Sequence, residues 1–361
     1  MAESNQYYFI VYSSYFVIAI IFSFLINSLF LRFAKTLGIR GGNEGTVIRW
    51  ASQSKPAVGG FSFYIIFLLS ITAYSVFFNS HQVFLNKQFI GFLLATMLGF
   101  LLGLADDAHD TRPFLKVTTQ LTCAVLLMVT GTVINISPYL YVNYAFTLIW
   151  VVGIMNSLNM LDNMDAIAAS VSIIIILAGA SVMILKGDLT NISFIIMVGI
   201  AGALIGFLYF NWHPSKMFMG DTGSQFLGVF LAFIGIHCFW NSTPPSNEII
   251  NIKSLILPLL VFIMPIVDTT VVVINRLSKK QSPFIGGKDH TTHALAFLGM
   301  SDSQVAFLFI AISSLSIFFV VIAEKVIVNW NNAYTALFAA YFLVILIIFL
   351  HISRLKRTKN G

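Results

Sequence analysis

Apolar runs of about twenty residues recur along the chain, separated by short polar stretches. They predict helices at 9–31, 57–78, 89–105, 115–134, 139–156, 166–185, 192–210, 223–240, 252–275, 304–323 and 333–352. An α-helix needs about 20 residues to cross the hydrocarbon core of a bilayer, and these runs fit that length. The run at 166–185 carries no charged residue. Pro258 and Pro265 fall inside the ninth run, which is expected to be kinked or broken. The opening MAESNQYY has no basic residue, so the first run reads as a span rather than a cleavable signal. Neither a repeat of about 20–50 residues nor a low-complexity linker interrupts the series. The expected fold is all-α, a polytopic integral membrane protein of about 11 transmembrane helices forming one domain over 1–361.

Composition agrees. Only 9% of the 361 residues are charged and 58% are hydrophobic, against about 25% charged in soluble proteins. Mean hydropathy is +0.89. A soluble enzyme, a disordered chain and a disulfide scaffold are excluded. Cys123 and Cys238 lie within apolar runs, which indicates neither a disulfide nor a thiolate metal site.

The net charge of +6 has a topological origin. With the N-terminus outside and the C-terminus cytoplasmic, only Lys87, Lys186, Lys253 and Lys325 face outward; the other sixteen of the 20 basic residues face inward. That asymmetry follows the positive-inside rule and removes the need for a nucleic-acid partner. Ten acids share the inner side: Glu44, Asp106, Asp107, Asp110, Asp162, Asp165, Asp221, Asp268, Asp289 and Asp302. Glu44 and Asp302 read as solvated loop acids. The others cluster at the ends of spans, where an unpaired carboxylate is costly.

Four groups carry candidate chemistry. LADDAHDTRPFLKVTTQ (104–120) places Asp106 beside Asp107, a pair suited to Mg²⁺ or to one acid acting as base, with Lys116 available to an anion. MNSLNMLDNMDAIAAS (155–170) spaces Asn156, Asn159, Asp162 and Asp165 by three, on one face of a helical turn, as oxygen donors for a hard cation or a nucleoside. NWHPSKMFMGDTGSQFLG (211–228) sets Asp221 among glycines where a span begins, and helix N-termini attract phosphate. The fourth group runs from Asp268 through Arg276 to SPFIGGKDHTTHAL (282–295); Arg276, Lys288, His290 and His293 offer donors to phosphate or sugar hydroxyls. A zinc site at the two histidines is disfavoured because oxygen ligands dominate. KPAVGGFSF (55–63) brings Lys55 to the same side. Taken singly, each group also reads as a polar turn or a helix cap.

Together, LADDAHD, NSLNMLDNMDAIA, FMGDTGS and PIVDTTVVVINRLSKKQSPFIGGKDHTTH resemble the successive signatures of the polyprenyl-phosphate N-acetylhexosamine-1-phosphate transferases, and KPAVGG resembles that family's Pro-x-x-Gly-Gly segment. The match covers about residues 50–295. It is closer to the undecaprenyl-phosphate GlcNAc-1-phosphate branch than to the phospho-MurNAc-pentapeptide branch. The chain departs from the family at Asn163 and Ala166, where glycines are usual, and at Ala294, where a basic residue is expected.

The resemblance implies transfer of a sugar-1-phosphate, GlcNAc-1-phosphate first among candidates, from a UDP-N-acetylhexosamine to polyprenyl phosphate. UMP is released at the cytoplasmic face of a bacterial-type plasma membrane. It implies Mg²⁺, with Mn²⁺ as substitute, held by Asp221 and Asn159. Asp106 and Asp107 flank the acceptor phosphate as the catalytic pair, and Lys116 and His290 hold pyrophosphate oxygens. Asp165 with Asp162 lies near the uridine, and Asn156, Arg276, His293 and Lys55 complete the substrate contacts. A homodimer is the candidate assembly. The rival readings are an Mg²⁺-dependent prenyltransferase using DDxxD, a transporter, and a catalytically inactive family member.

Overall fold

The computed structural model describes residues 2–36, 55–78, 81–243, 250–282, 287, 289–327 and 329–355. Lys288 and Glu44 lie outside them. Among the described residues the chain is helical, with a single isolated bridge between Ala57 and Phe218. The helices are α1 (Ala2–Thr36), α2 (Gly59–Phe77), α3 (Lys87–His109), α4 (Pro113–Val129), α5 (Leu140–Leu161), α6 (Ile167–Lys186), α7 (Ile192–Asn211), α8 (Gly220–Ile234), α9 (Ile252–Val261), α10 (Ile263–Ser278), α11 (Thr291–Phe297), α12 (Asp302–Lys325) and α13 (Asn332–Leu355). A short 3₁₀ turn precedes α3, and α8 runs on into a π-helical turn at Gly235–Trp240.

Local chemistry sets several of these boundaries. Asn86 caps α3 by accepting from the backbone N–H of Gln88 and Phe89. Pro113 opens α4, where a missing N–H costs nothing. Ser301 and Gln304 form a reciprocal capping box at the start of α12.

Nine described helices are long and apolar enough to cross a membrane, or ten if α9 and α10 count as one broken span. That falls short of the expected eleven. α4 has only 17 residues, about 25 Å at 1.5 Å per residue. It ends because Gly131 takes a left-handed conformation (φ +95°), after which the chain turns back to meet Thr147 and Asn143 side chains on α5. The expected break in the ninth run is a bend of 85° at Phe262. Pro265 sits in the first turn of α10, where it fits, rather than in the middle of one long helix, where its ring would clash.

α8 is the centre of the bundle and packs on α2, α3, α5 and α6. All but one of the residues in Gly220–Ile234 are buried, the exception being Asp221. The glycine-bearing N-terminus of a buried helix is therefore where the site forms.

Between α5 and α6, Ala166 adopts φ +66°, a left-handed conformation that favours glycine. A β-carbon there costs roughly 1–2 kcal/mol, whereas glycine's extra unfolded-state entropy costs about 0.4–1 kcal/mol. Ala166→Gly is therefore expected to stabilise the fold by roughly 0.5–1 kcal/mol, measured as a higher melting temperature in detergent; a lower one would contradict this reading.

Candidate active site

Two segments far apart in sequence are stitched together at the start of α8. Phe218 N–H donates to Pro56 O at 2.9 Å, and Gly59 and Gly60 N–H donate to Phe218 O and Met219 O at 3.1 and 2.9 Å. This carries Lys55 to Ser215, whose hydroxyl accepts at 2.9 Å. On the other side, α3 approaches α8 at Gly103, where a β-carbon would lie 2.2 Å from Asp221 O.

Asp107 closes the junction. Its carboxylate accepts from Asp221 N–H (2.9 Å), Thr222 N–H (2.8 Å) and the Thr222 hydroxyl (2.6 Å). It caps α8 from α3 and compensates the orphan N–H groups of that helix. To act as a base, Asp107 would have to release Thr222. Asp106, its neighbour, is buried. One of its oxygens accepts from Thr111 N–H (2.8 Å) and hydroxyl (2.6 Å), and the other is ion-paired with Lys116. Lys116 Nζ lies 4.0 Å from Asp221 Oδ2. Asn159 Nδ2 donates to Asp221 Oδ1 and to Ser224 Oγ. Asp106, Lys116, Asp221 and Asn159 thus form one continuous cluster, and the Asp221 side chain keeps 35% of its surface exposed.

The second group does not share one face. Asn156 turns away from Asp221: its Nδ2 donates to Gln120 Oε1 and Val152 O, both at 2.8 Å. Asp162 follows the end of α5, half-buried, and its carboxylate makes no hydrogen bond to a described residue. Burial, then the fields of Asp221, Asp107 and Asp165, push its carboxyl well above the ordinary range. Asp165 is buried in a different knot. It accepts from Ser215 N–H (3.0 Å) and hydroxyl (2.7 Å), and it contacts His213 Nδ1 at 3.1 Å and Lys55 at 3.9 Å. His213 Nδ1 also lies 3.3 Å from Asp302. The spacing of Asp165, His213 and Asp302 would admit a metal ion. With Lys55 and both Ser215 donors on Asp165, the network is already compensated without one.

The fourth group is tied to the second by Thr292, whose hydroxyl donates to Asn163 Oδ1 at 2.6 Å. Asp268, fully buried, accepts from Thr291 N–H (2.8 Å) and hydroxyl (2.6 Å) and pairs with His290 Nδ1 at 2.9 Å. His293 is buried, its ring perpendicular to that of His290 at 5.4 Å. Arg276 makes a two-pronged pair with Asp289, both bonds 2.8 Å. Burial alone would raise the Asp289 carboxyl, but the guanidinium outweighs it and holds the group below the usual range. A depressed folded-state pKa contributes stability above the unfolded value of about 3.9 and loses it as pH falls further. Asp289→Asn is therefore expected to cost about 2 kcal/mol from about pH 8 down to pH 5, with the difference from wild type shrinking below about pH 4. Melting temperatures across that range test it; a difference that grows on acidification would contradict it.

Among the described residues, the cluster around Asp221 fits a divalent cation. Asp221 and Asn159 offer oxygen donors, and an elevated Asp162 carboxyl among three others marks surplus negative charge. That donor set suits a hard ion such as Mg²⁺. Thr111, Thr222, His213, Ser215, Asp302, Gln120 and Gln225 also belong to these networks. No signal in the sequence separated the hydroxyls from ordinary polar residues, and Asp302 read there as a solvated loop acid.

Fold and site together define a polytopic helical membrane-type protein with an acid–lysine cluster where α3 and α5 end and α4 and α8 begin. The model of glycosyl transferase family 4 matches residues 89–239. A protein of Bacillus subtilis named probable undecaprenyl-phosphate N-acetylglucosaminyl 1-phosphate transferase is 28% identical over 80% of this chain and 78% of its own. A phospho-N-acetylmuramoyl-pentapeptide-transferase of Streptococcus agalactiae is 31% identical over 61% of this chain and 71% of its own. A decaprenyl-phosphate N-acetylglucosaminephosphotransferase of Mycolicibacterium smegmatis is 27% identical over 71% of this chain and 68% of its own. The chain belongs to this family of polyprenyl-phosphate sugar-phosphate transferases.

Proposed function

We propose that the protein transfers a sugar-1-phosphate, GlcNAc-1-phosphate as first candidate, from a UDP-sugar to undecaprenyl or a similar polyprenyl phosphate. The observation that carries this reading is the meeting of Lys116, Asp106, Asp221 and Asn159 at the N-terminus of α8. The names of the Bacillus subtilis and Mycolicibacterium smegmatis relatives support the acceptor, and all three names support the reaction class. An oxygen of the lipid phosphate attacks the β-phosphorus of the donor. The bond from that phosphorus to the bridging oxygen breaks, the electron pair leaves with UMP, and a diphosphate links lipid and sugar.

Mg²⁺, with Mn²⁺ as substitute, would be held by Asp221 and Asn159 and would neutralise the donor diphosphate. Lys116, oriented by Asp106, meets a phosphate oxygen beside it. Asp107 caps the α8 N-terminus and so fixes the backbone that carries Asp221 beside the same oxygens. The acceptor's second pKa is near 6, so it is largely ionised at neutral pH and needs little help from a base. Positioning and charge neutralisation then carry the catalysis, as is general for phosphoryl transfer. Asp162, Asp165 and Lys55 flank the nucleoside side, and Arg276, His290 and His293 the sugar side. The topology is eleven crossings with α4 as a short one, the N-terminus outside and the site cytoplasmic in a bacterial plasma membrane.

Purified protein, undecaprenyl phosphate and a panel of UDP-sugars test this reading. It expects UMP release only when lipid acceptor and divalent cation are both present. Inorganic pyrophosphate released from a polyprenyl diphosphate would favour the prenyltransferase instead, and full activity in excess chelator would remove the metal.

A further inference from the structure

One turn below the cluster lies a second layer that the proposed chemistry does not use. Gln120 follows Lys116 by four residues on α4, Gln225 follows Asp221 by four on α8, and Asn156 precedes Asn159 by three on α5. These spacings stack each amide under its partner on the same helix face. Gln120 and Gln225 are 0% and 1% exposed. Asn156 and Gln120 bond reciprocally, Asn156 Nδ2 to Gln120 Oε1 at 2.8 Å and Gln120 Nε2 to Asn156 Oδ1 at 3.3 Å. Gln120 Nε2 also donates to Gln225 Oε1 at 3.2 Å.

The layer has a direction. Asn156 Nδ2 donates to Val152 O at 2.8 Å, and a backbone carbonyl only accepts. That orients the Asn156 amide, which orients Gln120, which in turn makes Gln225 present its oxygen to Gln120. Amides in an apolar bundle are costly unless paired, so the three helices are held in the one rotational setting that pairs them. A buried asparagine specifies the register of a coiled coil for the same reason. α4 packs on α3 and α5 rather than on α8. The Gln120–Gln225 bond therefore ties the helix of Lys116 to the helix of Asp221.

We infer that Gln120, Asn156 and Gln225 are positioning residues, an amide layer that sets the convergence of Lys116, Asn159 and Asp221 for phosphosugar transfer. This inference rests on the proposed function, and it takes Asn156 out of direct substrate contact.

The test compares Gln225→Glu, Gln225→Met and Gln120→Met in purified full-length protein, measuring kcat, KM for the UDP-sugar and melting temperature. A purely structural role predicts that the apolar isostere is tolerated better than a carboxylate buried in the bundle. The positioning role predicts the reverse for turnover, because glutamate keeps the acceptor that Gln120 needs and methionine removes it. Both methionine variants are expected to lose about 30-fold or more in kcat, since a misplacement near 1 Å costs up to about 100-fold. Their KM should stay within about twofold and their melting temperature near that of wild type, because the groups that contact substrate remain. Gln225→Glu is expected to keep kcat within about threefold even if it melts lower. Unaltered kcat in the methionine variants, or kcat that tracks melting temperature across all three, overturns the inference while leaving the proposed function standing. Absence of UMP from the wild type overturns both.

Discussion

Asp221→Asn is expected to lower sugar-phosphate transfer by about 10³-fold or more, with the protein still folded in membranes. The substitution keeps the shape of the side chain and the Asn159 donor can still find an oxygen. What disappears is the charge whose second oxygen faces Lys116 at 4.0 Å and remains partly exposed. Removing a carboxylate from a group that includes Asp106, Asp107 and Asp162 relieves repulsion, so stability should hold or rise. The combination of lost turnover and retained melting temperature is the signature. Turnover within about tenfold of wild type would remove Asp221 from the metal and charge-neutralising role.

Gly103→Ala is expected to act through the backbone and to damage stability and turnover together. The added β-carbon would lie 2.2 Å from Asp221 O, and 2.4 Å from both Asp221 C and Thr222 Cα. These are backbone atoms of a helix buried at the centre of the bundle, so α8 itself must shift. Overpacking of this kind costs about 1–3 kcal/mol. A displacement near 1 Å at Asp221 adds up to about 100-fold in rate. Gly153 on α5 is the control, because a β-carbon there meets nothing within 4 Å, and Gly153→Ala should be neutral or slightly stabilising. Equal turnover in the two variants would show that the α3–α8 approach at Gly103 does not set the site.

The parts of this site that were legible in the sequence share one property, charge in an otherwise apolar chain. Asp106, Lys116 and Asp221 stood out for that reason, and the structure brings them together with Asn159, a neutral amide marked only by its spacing. The face argument for Asn156, Asn159, Asp162 and Asp165 was weaker. Steps of three residues drift by about 60° around a helix each time, so nine residues reach the opposite side, and α5 ends at Leu161 before the acids. Asn156 accordingly joins the amide layer and Asp165 the knot with His213, Ser215, Lys55 and Asp302. The part played by Asp107 depended on a partner 114–115 residues away, which no local pattern reveals. Asp302 read as a bland loop acid because its partner, His213, is likewise distant. The span count missed the left-handed turn at Gly131 that cuts α4 short. The left-handed turn before α6 was hidden by the alanine at 166, which holds a conformation that glycine would adopt more easily.

The most direct measurement follows the label from UDP-GlcNAc carrying ³²P on the β-phosphorus, incubated with purified protein, undecaprenyl phosphate and Mg²⁺. Sugar-1-phosphate transfer predicts that the label enters the lipid phase together with the sugar while unlabelled UMP appears in water. Label that stays in water as UDP while sugar alone reaches the lipid, or that never leaves the donor, would contradict the account.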